Sequence, residues 1–160
     1  MKINLGSGKM QIDGYVNVDK RKCVKPDILM DFEKEEDWIK CFGDDTIDEV
    51  FASHIMEHIR DFNMVMKQLY RICKAGAKIT VISPYWRHHI AFDDPDHCRC
   101  ITEKTFIYYN KGLEGSDGSN IEEILGFVVD FRILGYHYNN DKEGNRKEII
   151  IVLEVKKCKE

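Results

Sequence analysis

The sequence predicts an α/β fold: a mostly parallel sheet flanked by helices and ending in an antiparallel hairpin. Three observations predict it. Short apolar runs alternate with helix-like segments, the pattern that builds parallel strands through crossovers. Glycine and acidic residues stand at the ends of the early strand-like runs, where an open α/β sheet holds its ligands. The last two apolar runs are separated by residues 139–145, which include Gly144 and read as a hairpin turn.

The elements follow in order. Residues 2–5 form the first strand, 15–18 the second and 27–30 a short third. The crossover from Gly8 to Tyr15 holds at most one or two helical turns. Residues 33–41 read as a helix with Trp38, Ile39 and Phe42 on one side, and 47–52 as the fourth strand. The strongest helix is 61–74, because Phe62, Val65, Met66, Leu69 and Ile72 recur at helical spacing. Asp61 suits its N-cap, and Gly76 stands where a helix stops. Residues 78–83 form the fifth strand, ended by Pro84. The irregular stretch 84–101 is long enough to be a functional lid. A short helix over 102–109 capped by Thr102, a Gly/Ser/Asp-rich loop over 112–120, and strands 127–138 and 148–155 complete the chain.

Bulk properties narrow the function. One domain, 1–160, is expected at this length. With 43% hydrophobic and 32% charged residues, the composition is that of a globular protein. The longest apolar run, Ile149 to Leu153, is far too short to span a bilayer. The net charge is −4, and the one notable basic cluster, Lys20-Arg21-Lys22 with Lys25, reads as a solvated turn. That footprint is too small to argue for nucleic-acid binding by itself. The 6 cysteines are scattered with no C-x-x-C pair, so they read as free thiols in a reducing compartment. No signal-peptide pattern precedes the first strand, and a cytoplasmic location is expected.

The ligand edge is more specific. Gly6-Ser7-Gly8 ends the first strand, and glycines there let the backbone turn sharply and approach a ligand. Asp19 ends the second strand, and its carboxylate can hold both hydroxyls of a ribose. Asp31-Phe32 ends the third, where the acid can accept from an adenine amino group and the aromatic can pack on the ring. A dinucleotide fingerprint needs a third glycine where Gln11 stands, and an acid later than Asp19. A P-loop is excluded by spacing at Gly8-Lys9-Met10. The site suits an adenosyl group without phosphates.

At these residues the chain resembles the class I S-adenosylmethionine-dependent methyltransferases, in particular the small type 11-like group with its Rossmann-like sheet. The resemblance covers roughly Ile3 to Phe106. Asn4-Leu5-Gly6-Ser7-Gly8 resembles the glycine motif. Gly14-Tyr15-Val16-Asn17-Val18-Asp19 is similar to the segment leading to the ribose-binding acid, and Asp27-Ile28-Leu29-Met30-Asp31 to the adenine-side motif. Asp48 to His58, ending in Glu57-His58, is similar to the fourth strand and its loop. Arg71 to Ala77 resembles the helix-to-strand turn, and Asp94 to Arg99 a loop near the acceptor side. The resemblance implies S-adenosyl-L-methionine as cofactor, with Asn4, Leu5, Gly6, Ser7, Gly8, Asp19, Asp31, Phe32, Ser53 and His54 as its contacts.

Methyl transfer is an in-line displacement, so positioning can carry much of the rate. A base is needed only if the acceptor must lose a proton, and histidine suits neutral pH. His97, beside Asp93, Asp94 and Asp96, is the first candidate, and His58 the second. Tyr85, Trp86 and Arg87 could wall an acceptor site. The expected acceptor is a small molecule, a sugar or a polymer. His88, His89, Asp93, Asp94, His97, Cys98 and Cys100 crowd one loop, but their spacing matches no standard zinc pattern, and no metal ligand is assigned. Two alternatives stay open: a non-catalytic cofactor-binding module acting through a partner, and a zinc-binding interaction domain. The chain starts at its first strand, and a partner subunit, as in a homodimer, could supply the missing N-terminal cover.

Overall fold

The computed structural model describes residues 1–112 and 125–157. Most of the 112–120 loop, and Cys158, lie outside the described residues. Among the described residues, seven strands form one sheet in the order β3-β2-β1-β4-β5-β7-β6. They are β1 (Lys2–Leu5), β2 (Val16–Asp19), β3 (Ile28–Leu29), β4 (Ile47–Ser53), β5 (Cys73–Pro84), β6 (Phe131–Asn140) and β7 (Arg146–Val155). The first five run parallel; β7 runs antiparallel to both β5 and β6. The helices are α1 (Glu35–Cys41), α2 (Phe62–Ile72) and the four-residue α3 (Ile90–Asp93). None of these is long and apolar enough to cross a membrane.

The period-2 pattern of the strands places one face in the core. Ile3, Val50, Ile79 and Leu153 lie in register across β1, β4, β5 and β7, as do Leu5, Ala52, Val81 and Ile151. All are at most 1% exposed, and they share one core with Trp38, Phe42 and the apolar stripe of α2. Alternate residues such as Phe51, Thr80, Ile82 and Val152 are only half-buried.

α2 forms as its spacing predicts. Phe62, Val65, Met66, Leu69 and Ile72 are all buried, and the Asp61 carboxylate accepts from the Met64 amide at 2.9 Å. Arg71 then ties α2 to the end of α1. Its guanidinium donates to the carbonyls of Trp38 and Phe42, at the end of α1 where carbonyls run out of helical donors; the Trp38 carbonyl also accepts from the Phe42 amide.

Several expectations are corrected. Gly76 does not stop the helix. α2 ends at Ile72, and Gly76 sits inside β5 at φ +80°, where the β4–β5 register shifts. A glycine absorbs that irregularity at no steric cost. Ile39 is 62% exposed; α1 buries Trp38, with Cys41 partly buried and Phe42 turned inward just past the helix. Residues 102–109 do not form a capped α-helix. The Thr102 and Thr105 side chains close a local turn, and a 3-10 turn, Ile107–Tyr109, follows.

The crossover from Gly6 to Tyr15 has no helix. Side chains fold it down instead. Asn4 donates to the Met10 carbonyl and to the Asn17 side chain, whose oxygen also accepts from the Ile12 amide. Asn17 in turn donates to Asp27. These bonds satisfy backbone groups that a helix would otherwise have paired.

Candidate functional site

The chain order reverses at β1, which lies between β2 and β4. In an open parallel sheet this switch point leaves a crevice at the carboxyl ends of the strands. A cavity of about 660 Å³ lies there, a volume in the usual range for small-ligand sites. Gly6, Asp19, Lys20 and Arg21 wall it after β1 and β2; Asp31, Phe32 and Glu33 after β3; His54, Ile55, His58 and Arg60 after β4; Asp94 and Asp96 after β5.

Gly6 is the pivot. It adopts φ +69°, and a Cβ there would lie 2.7 Å from the Ile55 side chain. The β1 loop and the β4 loop can approach this closely only because that atom is missing. Gly6→Ala is expected to cost about 2–4 kcal/mol, combining overpacking with a left-handed backbone. Urea unfolding checks this; an unchanged midpoint would show that the two loops do not pack as described.

Asp19 is 3% exposed, and all its acceptor positions are occupied. Oδ1 accepts from the Arg21 amide and Nε, and Oδ2 from the Gly8 amide and Arg21 Nη2. Burial pushes its pKa up, but the bonds from Arg21 and Gly8 outweigh burial and hold it below the ordinary 3.8. Asp31 holds its own turn, accepting from the Glu33 amide. Phe32 is mainly a core residue, its ring centroid 6.2 Å from that of Trp38.

His54 follows β4 in a left-handed conformation, φ +52°, which a residue other than glycine rarely adopts. Its Nδ1 lies 3.3 Å from Glu57 and its Nε2 2.8 Å from Glu148. Bonding to Glu57 and then to Glu148 raises its pKa above 6.5 against the opposing effect of burial. The histidine is thus held between two carboxylates at the cavity wall.

Of the cofactor contacts expected from sequence, Gly6, Asp19, Asp31, Phe32 and His54 line the cavity. Asn4, Leu5, Ser7, Gly8 and Ser53 do not. Leu5 belongs to the core, and Asn4 is turned into the crossover. Gly8 reaches the site through its amide bond to Asp19. Ser53 is a half-buried residue of β4. Ser7 is 3% exposed, and its Oγ has no hydrogen-bond partner. His58 lines the cavity but His97 does not; its ring lies 4.7 Å from that of His58.

The crowded loop does not converge as a group. His88 pairs with Asp141, His89 with Asp93, and the Cys98 thiol with the His58 and Asp96 carbonyls. Sequence reasoning gave no role to Arg21, which covers the Asp19 carboxylate, or to Ile55 and Arg60 on the wall. Nor did it give one to Glu33, whose carboxylate accepts from the Arg60 and Asp61 amides and ties the β3 loop to the start of α2. Cys23, Cys41, Cys73, Cys98 and Cys100 are free thiols.

No protein-family model matches the chain, and no curated protein matches it. Solved structures do. A SAM-dependent methyltransferase from Archaeoglobus fulgidus is similar at 17% identity and a TM-score of 0.63, over 96% of this chain and 85% of that one. A protein from Sulfolobus solfataricus assigned to the type 11 methyltransferases is similar at 14% identity and a TM-score of 0.61, over 100% and 86%. The Burkholderia thailandensis 1,6-didemethyltoxoflavin-N1-methyltransferase, solved with its substrate and S-adenosylhomocysteine bound, is similar at 7% identity and a TM-score of 0.61, over 98% and 71%. The chain therefore has the methyltransferase-like Rossmann fold, a mostly parallel seven-stranded sheet with a reversed β7 next to its edge.

Proposed function

We propose that the protein is an S-adenosylmethionine-dependent methyltransferase whose cofactor occupies the cavity between Gly6, Asp19 and Asp31. The observation that carries this reading is the buried Asp19 carboxylate at the end of β2, on the cavity wall and within reach of the β1 glycine loop. The residues present fit an adenosyl ligand. Asp19 and Asp31 offer acceptors, Phe32 an aromatic edge, Gly6 close backbone approach, and Ser7 an unpaired hydroxyl close behind the loop.

When bound, the cofactor supplies a methyl group already activated by its sulfonium. The chain's own work is then to bind, orient and exclude water. Asp19 is fixed by the Gly8 and Arg21 amides, so it holds its ligand without reorganising. The Arg21 side chain, 57% exposed, takes one acceptor site on each oxygen and must leave for a ribose to bind there. His58, Arg60, Asp94 and Asp96 enclose the end of the cavity under β4 and β5, which is the acceptor side in this reading. His58 faces the acceptor and His97 stands behind it. The acceptor is a small molecule, a sugar or a polymer.

Titration with S-adenosylmethionine and S-adenosylhomocysteine tests the reading. Saturable binding is expected, and none at millimolar ligand would overturn it. Arg21→Ala sharpens the test. Breaking an exposed ion pair costs about 1 kcal/mol or less, so removing it in advance is expected to raise affinity by up to about 5-fold. A clear loss of affinity would make Arg21 a ligand contact instead.

A further inference from the structure

Two histidines from different loops meet beside the cavity, and a backbone seam brings them together. The Cys98 amide donates to the Glu57 carbonyl at 2.8 Å. The Arg99 guanidinium donates to the carbonyls of Ile59 and Arg60 and lies over the Phe62 ring. This seam sets His97 edge-to-face against His58. Next to them is Glu57, 1% exposed. One donor atom from each of Glu57, His58 and His97 lies within 4.8 Å of the other two.

The hydrogen bonds orient those donors. His58 Nδ1 lies 3.3 Å from the Asp96 carbonyl, and His97 Nδ1 lies 3.1 Å from the Ala91 carbonyl. A carbonyl can only accept, so each Nδ1 carries a proton, which in the neutral ring leaves the Nε2 lone pair for a metal. Metal-ligating histidines are held in this way: the outer nitrogen donates to a carbonyl and fixes the tautomer and the ring. Glu57 is held likewise, with Oε2 accepting from Ser83 Oγ at 2.9 Å. Its buried Oε1 meets no hydrogen-bond geometry and lies 3.3 Å from His54 Nδ1, so it keeps acceptor capacity for a cation.

We propose that Glu57, His58 and His97 bind a divalent transition-metal ion of the zinc type, with its open coordination positions facing the cavity. Two imidazoles and one carboxylate are the donor set of catalytic zinc sites, which keep a position for water or substrate. A closed structural site takes four protein ligands, and this cluster has three. Because His58 lines the cavity, the open side lies toward the acceptor end. Resting on the methyltransferase reading, this names the acceptor class: a molecule carrying a hydroxyl. Held by Glu57, His58 and His97, the ion would act as a Lewis acid that eases loss of the hydroxyl proton to water, and the oxygen would take the methyl group as the sulfonium S–C bond breaks to leave S-adenosylhomocysteine.

The test uses the full chain without an affinity tag, stripped of metal by a chelator. Titration with Co²⁺, read by visible d–d absorption, and with Zn²⁺, read by calorimetry, measures binding without activity. One ion per chain is expected, with His58→Ala and His97→Ala each weakening it by more than the roughly 10–100-fold that losing an outer-shell partner costs. Thermal unfolding of both variants checks that they fold; Glu57→Gln, whose target is buried, is the third variant and not the deciding one. No saturable binding below millimolar metal, or binding unchanged in both histidine variants, would overturn the proposal. Metal binding in a protein that binds no S-adenosylhomocysteine would support the metal site and overturn the cofactor reading. The reverse result would overturn the metal site alone.

Discussion

Asp19→Ala is expected to weaken S-adenosylhomocysteine binding by at least about 100-fold. The carboxylate is the one buried charge at the end of β2 that faces the cavity. Two charge-assisted hydrogen bonds to a ribose contribute about 1.5–3 kcal/mol each, and each 1.4 kcal/mol is roughly a factor of ten. Calorimetric titration of wild type and variant measures the ratio, and circular dichroism shows whether the variant is folded. A folded variant with wild-type affinity would remove Asp19 from the site.

The same residue predicts a pH effect on stability. Its folded pKa lies below 3.8. A depressed carboxylate stabilises the fold above its unfolded value, and that contribution is lost as the pH falls through the folded value. Urea midpoints are therefore expected to drop on acidification below about pH 4, and to drop less in Asp19→Asn. Equal acid sensitivity in the two proteins would place the effect elsewhere.

Trp38→Ala is expected to cost about 3–5 kcal/mol, the largest stability loss among the substitutions discussed. Trp38 is fully buried between Phe32 and Phe42. Its indole donates to the Phe32 carbonyl at 3.0 Å, so truncation leaves a cavity and an unpaired buried acceptor together. Because Phe32 walls the site, cofactor affinity is expected to fall with stability. Trp38→Phe keeps most of the volume and is expected to cost less. A loss under about 1 kcal/mol in Trp38→Ala would mean that the packing of α1 against the β3 loop is not as described.

What the sequence makes legible is local. β1, β4 and α2 follow from the spacing of their apolar residues, and the Asp61 cap from its position before Phe62. The reversed β7 is legible because the turn before it is close in sequence. Gly76 was misleading, because a glycine after an apolar stripe suits a helix stop and a strand irregularity equally well. Ile39 shows the limit of reading an apolar residue as buried when its neighbour Trp38 decides the face.

The site divides in the same way. Gly6, Asp19 and Asp31 are legible because each stands at or just beyond the end of a strand. Arg21 is two residues from Asp19, yet its hold on that carboxylate depends on the path of a loop with no periodicity. The meeting of His58 and His97 depends on backbone bonds between two irregular segments, and no pattern of side chains announces such a seam. Asn4 belongs to the glycine motif but is turned into the crossover, where it bonds Met10 and Asn17, and Ser7, beyond the end of β1, is buried behind the loop.

The central claim is that an adenosyl ligand occupies the switch-point cavity. The most direct measurement is backbone amide chemical-shift mapping of the labelled protein with S-adenosylhomocysteine. The account predicts saturable shifts at Gly6, Gly8, Asp19, Lys20, Asp31, Phe32 and Ile55. It predicts none around the separate cavity lined by His88, Asp141 and Lys147. Shifts confined to that second cavity, or none at saturating ligand, would contradict it.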